Sequence, residues 1–110
     1  MFQQALRLLP IPRERWEAGT WLVVAIGDCR FAQRRFAEAL AQFRIAEAYP
    51  GGSGNALVLL RIGECLVELD GDKQAAMDAL TRAQSIEGGA IFAQEDPKYL
   101  RFFLRNAPME

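Results

Sequence analysis

The feature that most constrains the fold is an internal repeat. The residues IGDC at positions 26–29 recur as IGEC at positions 62–65, thirty-six residues later. Small and apolar residues recur behind them at an offset of thirty-seven: Ala39, Phe43 and Ala46 return as Ala76, Leu80 and Ala83. A period of about 34 residues, with two helices and a turn in each copy, is typical of helical-hairpin repeats, which must stack to bury their apolar faces.

Local signals predict six helices and no strand. Pro10 and Pro12 end a short amphipathic helix, and Asn55 and Asp96 are good N-cap residues for later ones. The predicted helices cover residues 1–9, about 13–32, 36–48, 56–69, 73–86 and 97–105. The glycine-rich stretch at 51–54 has neither a lysine nor a preceding strand, so we interpret it as a connection between hairpins and not as a phosphate-binding loop.

These elements predict an all-α fold, an α-α superhelix of two helical hairpins with an N-terminal helix and a C-terminal capping helix. Gly27 and Gly63 lie midway along the first helix of each hairpin, where a missing side chain lets the second helix approach closely. We expect one domain over residues 1–110, with repeats at about 20–53 and 56–88 and a capping helix at about 97–105.

The last helix is too apolar on all sides to be surrounded by solvent. We therefore expect part of it to pack against Met77, Leu80 and Ala83 of the preceding helix and so to cap the open end of the stack. A residual exposed patch at Phe102 or Phe103 would be available for a partner or a second copy of the chain, so a homo-oligomer stays open.

Composition narrows the function. The chain has 13 Lys and Arg against 14 Asp and Glu, a net charge of −1 at pH 7, and no histidine. Because there is no strong field to gather phosphates or anionic lipids, nucleic acid and a membrane surface are poor partners. The absence of histidine excludes Ser-His-Asp triads, Cys-His pairs and His-based zinc sites. We predict that the chain is not an enzyme and holds no metal or cofactor.

The cysteines and the apolar runs favour a cytoplasmic protein. Cys29 and Cys65 have neither a metal-ligand spacing nor the density of a disulfide-stapled scaffold. They occupy equivalent places on neighbouring helices, beyond the ~7 Å that a disulfide spans, so we expect two small core residues. The longest apolar run, at 21–26, is far shorter than the ~20 residues of a membrane span, and the N-terminus has no signal-peptide pattern.

Both copies resemble the tetratricopeptide repeat (TPR) family. The matching positions are Ile26, Gly27, Ala39, Phe43, Ala46 and Pro50 in the first copy, and Leu59, Ile62, Gly63, Ala76, Leu80 and Ala83 in the second. Pro50 comes one place early, Arg30 stands where the family usually has an aromatic residue, and the second copy lacks the terminal proline. The resemblance covers residues 20–87 and implies protein binding through the inner, concave face of the repeats.

The flanks resemble a narrower group. The stretches LLPIPRERWEAGTW and IFAQEDPKYLRFFL, before and after the repeats, look like those of small bacterial TPR proteins found beside polymorphic toxin systems. This resemblance implies an immunity protein that neutralises a cognate toxin. An adaptor or chaperone that binds several peptides is the alternative within binding proteins.

The first helix of each hairpin lines the concave face. We expect the partner-binding residues to be Trp21, Val24, Asp28, Phe31, Leu57, Leu60, Arg61, Glu64 and Glu68. This mixture of apolar anchors, three acids and one arginine suits a protein or peptide with apolar side chains and a few basic groups. Alternatively, the N-terminal segment or the last helix covers this groove and turns Trp21, Phe31 and Leu60 into ordinary core.

Three carboxylates on this face leave an enzymatic alternative. Asp28 and Glu64 occupy equivalent places on successive helices, about 10 Å apart, and Glu68 follows one turn later. Such a set could serve a small carboxylate-based hydrolase or a metal site. We expect instead that these carboxylates line a solvated groove, because nothing nearby supplies a further ligand or a group that perturbs their pKa. A strongly raised carboxylate pKa would favour the hydrolase.

Overall fold

The computed structural model describes residues 18–49 and 54–107, and within these ranges all the regular secondary structure is helical, without a strand. The helices are α1 (Ala18–Ala32), α2 (Phe36–Ala48), α3 (Ala56–Leu69), α4 (Lys73–Glu87), a 3-10 helix (Gly89–Phe92) and α5 (Pro97–Asn106). The all-α prediction is confirmed, and the predicted bounds of α2 to α5 agree to within one residue. The 3-10 helix was not predicted. The helix predicted at 1–9, the beginning of the one at 13–32, Pro50 and the glycines at 51–53 lie outside the described residues.

Helices α1 and α2 form the first hairpin. A Cβ atom built on Gly27 would lie 2.8 Å from the Phe43 ring, and one on Gly19 would lie 3.4 Å from the Tyr49 ring. Because early α1 meets the end of α2 and late α1 meets its middle, the two helices are antiparallel. Arg34 turns the chain between them at a positive φ of 62°.

Helices α3 and α4 form the second hairpin in the same way. A Cβ atom on Gly63 would lie 2.6 Å from the Leu80 side chain, so glycine is required where these helices cross. The side chain of Asn55 accepts hydrogen bonds from the backbone N–H groups of Leu57 and Val58, which confirms it as the N-cap of α3.

One apolar cluster joins the two hairpins. It draws buried residues from α1 to α4: Trp21, Val24, Ala25, Cys29, Ala39, Phe43, Ala46, Val58, Ile62, Cys65 and Ala79. Both cysteines are buried and free, as expected. Helix α3 is the central element, because an unbroken run of its residues from Val58 to Cys65 is buried. Polar side chains in that run are therefore buried with it.

The C-terminal segment, residues 88–107, packs on the second hairpin. Phe92 and Tyr99 are buried with Leu59, Leu60, Leu80 and Ala83 in a second cluster. The expected packing on Leu80 and Ala83 is thus confirmed, whereas Met77 is buried outside this cluster.

The exposed apolar residues of α5 differ from those expected. Phe102 and Phe103 are half-buried against the second cluster, and Leu100 and Leu104, on the opposite side, are exposed. The physical reason is helical periodicity: once Tyr99 is anchored in the core, the residues three and four positions later lie on the same side of the helix.

Candidate functional site

The structure decides between the open and the covered groove. Of the nine residues predicted to bind a partner, six are buried: Trp21, Val24, Asp28, Leu60, Arg61 and Glu64. The other three, Phe31, Leu57 and Glu68, are half-buried. Trp21 and Val24 belong to the cluster between the hairpins, and Leu60 packs beside Tyr99. The C-terminal segment therefore covers the second-hairpin part of this face.

Arg61 lies at the centre of a buried charge cluster. Its Nε donates to Asp28 Oδ1 of α1 at 2.8 Å, and its Nη1 donates to Glu64 Oε1, one turn along α3, at 2.9 Å. The same Nη1 also donates to Glu95 Oε1 of the C-terminal segment. The guanidinium stands over the Phe31 ring, with Cζ 5.3 Å from the ring centroid. One arginine thus ties three parts of the fold together.

Burial of three carboxyl groups around one guanidinium favours the protonated form of Glu64. Burial, together with a hydrogen bond to Glu95, raises the pKa of Glu64 to about 9, although Arg61 acts against this. Glu64 is 0% exposed, and no donor in the described part of the chain reaches its Oε2. A neutral Glu64 removes one negative charge from the cluster and needs no donor at Oε2. As a carboxylic acid it donates its O–H to the Glu95 carboxylate while still accepting from Arg61.

Asp28 and Arg61 respond to the same burial. Burial raises the pKa of Asp28, and the charge and hydrogen bond of Arg61 offset this only in part. Burial alone would lower the pKa of Arg61, but its carboxylate neighbours, Asp28 first, outweigh it and raise that pKa. The expectation of a solvated groove without perturbing partners is therefore wrong. The perturbing partners are Arg61, which lies one turn before Glu64 on α3, and Glu95 of the C-terminal segment.

A second polar contact lies two turns further along α3. Glu68 accepts a hydrogen bond from the Tyr99 hydroxyl at 2.5 Å and pairs with Lys98 Nζ at 2.5 Å. Burial opposes ionisation of Glu68, but these two partners outweigh it and lower its pKa. The Tyr99 ring also lies 6.4 Å from the Phe31 ring. Arg61, Glu64 and Glu68 thus present one face of α3, at i, i+3 and i+7, to the C-terminal segment.

A cleft opens at the edge of this contact, with a volume of about 280 Å³. Its lining mixes aromatic and charged side chains, among them Phe31, Arg34, Phe36, Glu68, Lys98 and Tyr99. The Arg34 guanidinium lies 5.5 Å from the Phe36 ring centroid and is exposed. Three of the predicted binding residues, Phe31, Arg61 and Glu68, therefore border a cleft that solvent reaches.

The carboxyl groups of the cluster are occupied by contacts within the chain. Every carboxyl group of the cluster is engaged by Arg61, and no group of three His, Cys, Asp or Glu residues within 18–49 and 54–107 is placed to hold a metal ion. Among those same residues no helix is both long and apolar enough to cross a membrane. Burial raises the pKa of the Cys65 thiol to about 12, which makes it a poor nucleophile.

Sequence reasoning missed Glu95, Lys98 and Tyr99. The signal that could have found them is the stretch from Gln94 to Lys98, which interrupts two apolar runs with charged residues. A charged stretch beside a helix that must be buried indicates polar partners beneath it.

Comparison with protein-family models, curated protein sequences and solved structures found no match for this chain. The described residues therefore define only an architectural class: an all-α protein of two helical hairpins whose C-terminal segment covers the second-hairpin part of the predicted concave face.

Proposed function

We propose that this chain is a TPR-like protein-binding module that acts without catalysis. Two observations support the assignment to that family. The repeated glycines, Gly27 and Gly63, each lie against a large side chain of the following helix, Phe43 and Leu80, at corresponding points of the two hairpins. The small residues expected at repeat contacts, Ala39, Ala46, Ala76 and Ala83, are all fully buried.

The observation that carries the binding function is the contact with the C-terminal segment. Residues of α1 and α3 already hold a piece of polypeptide by a guanidinium–carboxylate pair, a hydroxyl–carboxylate hydrogen bond and aromatic contacts. These interactions are typical of peptide recognition. The partner is a protein or a peptide, and the cleft beside Phe31 and Arg34 is the accessible part of the surface that meets it.

The flanking stretches support a bacterial, cytoplasmic immunity protein whose partner is a cognate toxin. A general adaptor or chaperone is the alternative, and a second copy of the chain is a further candidate partner. The two roles differ in outcome: an immunity protein binds one partner tightly, whereas an adaptor binds several peptides weakly. The identity of the neighbouring gene distinguishes them directly.

Affinity purification from the native host tests the proposal. Full-length tagged chain should capture a protein that mass spectrometry identifies, and purified partner should then bind it directly. Arg34→Glu, at the exposed edge of the cleft, should weaken that binding at least about tenfold, a loss of about 1.4 kcal/mol. Arg44→Glu is the matched control, because Arg44 is an exposed arginine of α2 outside the cleft lining. Equal binding by both variants would contradict this surface.

One observation favours the second candidate, a hydrolase that uses Asp28, Glu64 and Glu68. The pKa of Glu64 is raised to about 9, as a general acid at neutral pH requires. Against it, Glu64 is fully enclosed by Arg61 and Glu95, so no substrate atom reaches it in this arrangement. Hydrolysis of generic ester or glycoside substrates that Glu64→Gln abolishes, while folding is unchanged, would support this candidate over the binding module.

A further inference from the structure

We propose that the inner face recognises a partner segment that carries a carboxylate and, four residues later, an aromatic side chain, and that Glu95 and Tyr99 occupy this site in cis until such a partner displaces them. The inference rests on the proposed binding function and specifies its ligand. The argument depends on three features of the described residues: a carboxylate subsite, an aromatic subsite and a replaceable occupant.

The carboxylate subsite is formed by Arg61 and Glu64. Arg61 holds Asp28 through Nε and keeps Nη1 for Glu64 and Glu95. Asp28 by itself balances the guanidinium charge, and the neutral Glu64 adds an O–H donor toward Glu95. An incoming carboxylate that replaces Glu95 therefore meets one charged donor, the Arg61 Nη1 that also holds Glu64, and one neutral donor. A carboxamide in its place would also accept these bonds, but without the charge that strengthens them.

The aromatic subsite lies two turns along α3. The Tyr99 side chain is 3% exposed, packed with Leu59 and Leu60, near the Phe31 ring, and its hydroxyl ends on Glu68. A tyrosine is therefore favoured over phenylalanine, because a ring without a hydroxyl leaves half-buried Glu68 one partner short. A cation beside the ring, as Lys98 is here, adds a second partner for Glu68.

The C-terminal segment, which is the cis occupant, can be displaced because a glycine pair links it to the second hairpin and because its helix packs less extensively than the hairpin helices do. It leaves the second hairpin through Gly88, at a positive φ of 85°, followed by Gly89, and a Cβ on either would meet nothing within 4 Å. Helix α5 packs far less extensively on α3 and α4 than those helices pack on each other. Its outer side is exposed at Leu100 and Leu104, and the open cleft lies directly beside Tyr99. A competitor can therefore begin at the cleft and advance as the segment opens.

A labelled peptide with the sequence of residues 91–106 is the probe. The full-length chain carrying Glu95→Gln has a weakened occupant and should bind this peptide at least about tenfold more tightly than the wild-type chain, in which the occupant competes. The matched control peptide carries Glu95→Gln and Tyr99→Ala and should bind neither protein. Equal binding of the first peptide to both proteins, binding to neither, or unchanged binding of the control peptide would overturn the proposal.

Hydrogen exchange of the wild-type chain provides a test without a variant. Backbone amides of α5 should exchange at least about tenfold faster than those of α3, because the C-terminal segment opens while the hairpins remain folded. Exchange of both at one common rate would mean that the segment is permanent core and would overturn the inference. The failures are distinguishable: a native partner whose binding depends on Arg34 upholds the binding function even when the peptide does not bind.

Discussion

The two hairpins contact each other through a large apolar cluster and one buried ion pair, Arg61–Asp28, whereas the C-terminal segment contacts them through a smaller apolar cluster and several polar pairs. Between the hairpins, Phe43, Val58, Ile62 and their neighbours are fully buried, and the described part of that cluster contains no ionisable group other than the thiols of its two cysteines. Over α3, the segment relies on Arg61, Glu95 and the Tyr99–Glu68 pair.

This difference shows which of the two contacts depends on pH and on competing ions. Apolar packing does not depend on pH or on a competing ion, and the glycines at 27 and 63 leave it little freedom to rearrange. A buried ionic contact depends on the protonation of each member and loses most of its value when one partner is removed. The hairpin contact, which is mostly apolar, is therefore the less conditional of the two, and we expect the C-terminal segment to be the part that solution conditions or a partner releases.

The largest effect should come from removing the shared guanidinium. Arg61→Met keeps the bulk of the side chain but leaves the Asp28 and Glu95 carboxylates without a cation, and should lower the free energy of unfolding by about 3–5 kcal/mol. Arg82→Met is the matched control, because Arg82 pairs with Glu47 at the surface at 3.8 Å and should cost less than about 1 kcal/mol. Urea unfolding followed by circular dichroism measures both. Similar costs for the two would show that the buried cluster contributes no more than a surface pair.

The second effect is a dependence of stability on pH. Glu64 keeps its proton up to about pH 9 in the folded chain but loses it near pH 4.5 when unfolded. Its contribution to stability is therefore fully present below pH 4.5 and is lost as the pH rises to about 9, by at most about 1.4 kcal/mol per pH unit. Asp28 acts in the same direction, while Arg61 keeps its charge throughout.

Glu64→Gln isolates this contribution, since a carboxamide cannot ionise and can still donate to Glu95. Unfolding curves across the neutral and alkaline range should show a flatter pH dependence for Glu64→Gln than for the wild-type chain. Parallel curves would mean that Glu64 is ionised in the folded state.

Overpacking the glycine contact should have a smaller effect and should act on the hairpins. The Cβ of Gly63→Ala would meet Leu80 Cδ2 and Cγ at 2.6 Å and the Leu80 backbone nitrogen at 3.3 Å, and should destabilise the fold by about 1–3 kcal/mol. Gly71→Ala is the control, because nothing lies within 4 Å of the added atom. Thermal melts compare them, and a Gly63→Ala melt equal to that of Gly71→Ala would contradict the tight crossing.

The smallest effects should come from removing the two N-caps. One cap belongs to the hairpins and the other to the C-terminal segment, so the two variants test the regions separately. Asn55→Ala removes the cap of α3 and should lower global stability by about 1 kcal/mol. Asp96→Ala removes the cap of α5 and should speed hydrogen exchange in α5 while leaving the hairpins unchanged. Equal acceleration throughout the chain by Asp96→Ala would show that both regions unfold together.

The sequence predicted the helices well because the ends of a helix are set by residues close to them in the sequence. Asn55 and Asp96 cap the helices they were expected to begin, and Gly27 and Gly63 lie where each hairpin crosses. The candidate site was predicted only in part. Asp28, Arg61 and Glu64 are brought together, but their partner Glu95 is thirty-four residues away from Arg61 in sequence and no periodicity relates the two.

The sequence by itself determined the all-α class, the hairpin period and the face of α3 on which Arg61, Glu64 and Glu68 lie, because helix formation and the spacing of small residues are short-range properties. Only the tertiary structure decided that this face is covered, since that depends on how the C-terminal segment returns across α3. It also decided that Glu64 keeps its proton, because the pKa of a carboxyl group is set by burial and by the charges that folding brings around it.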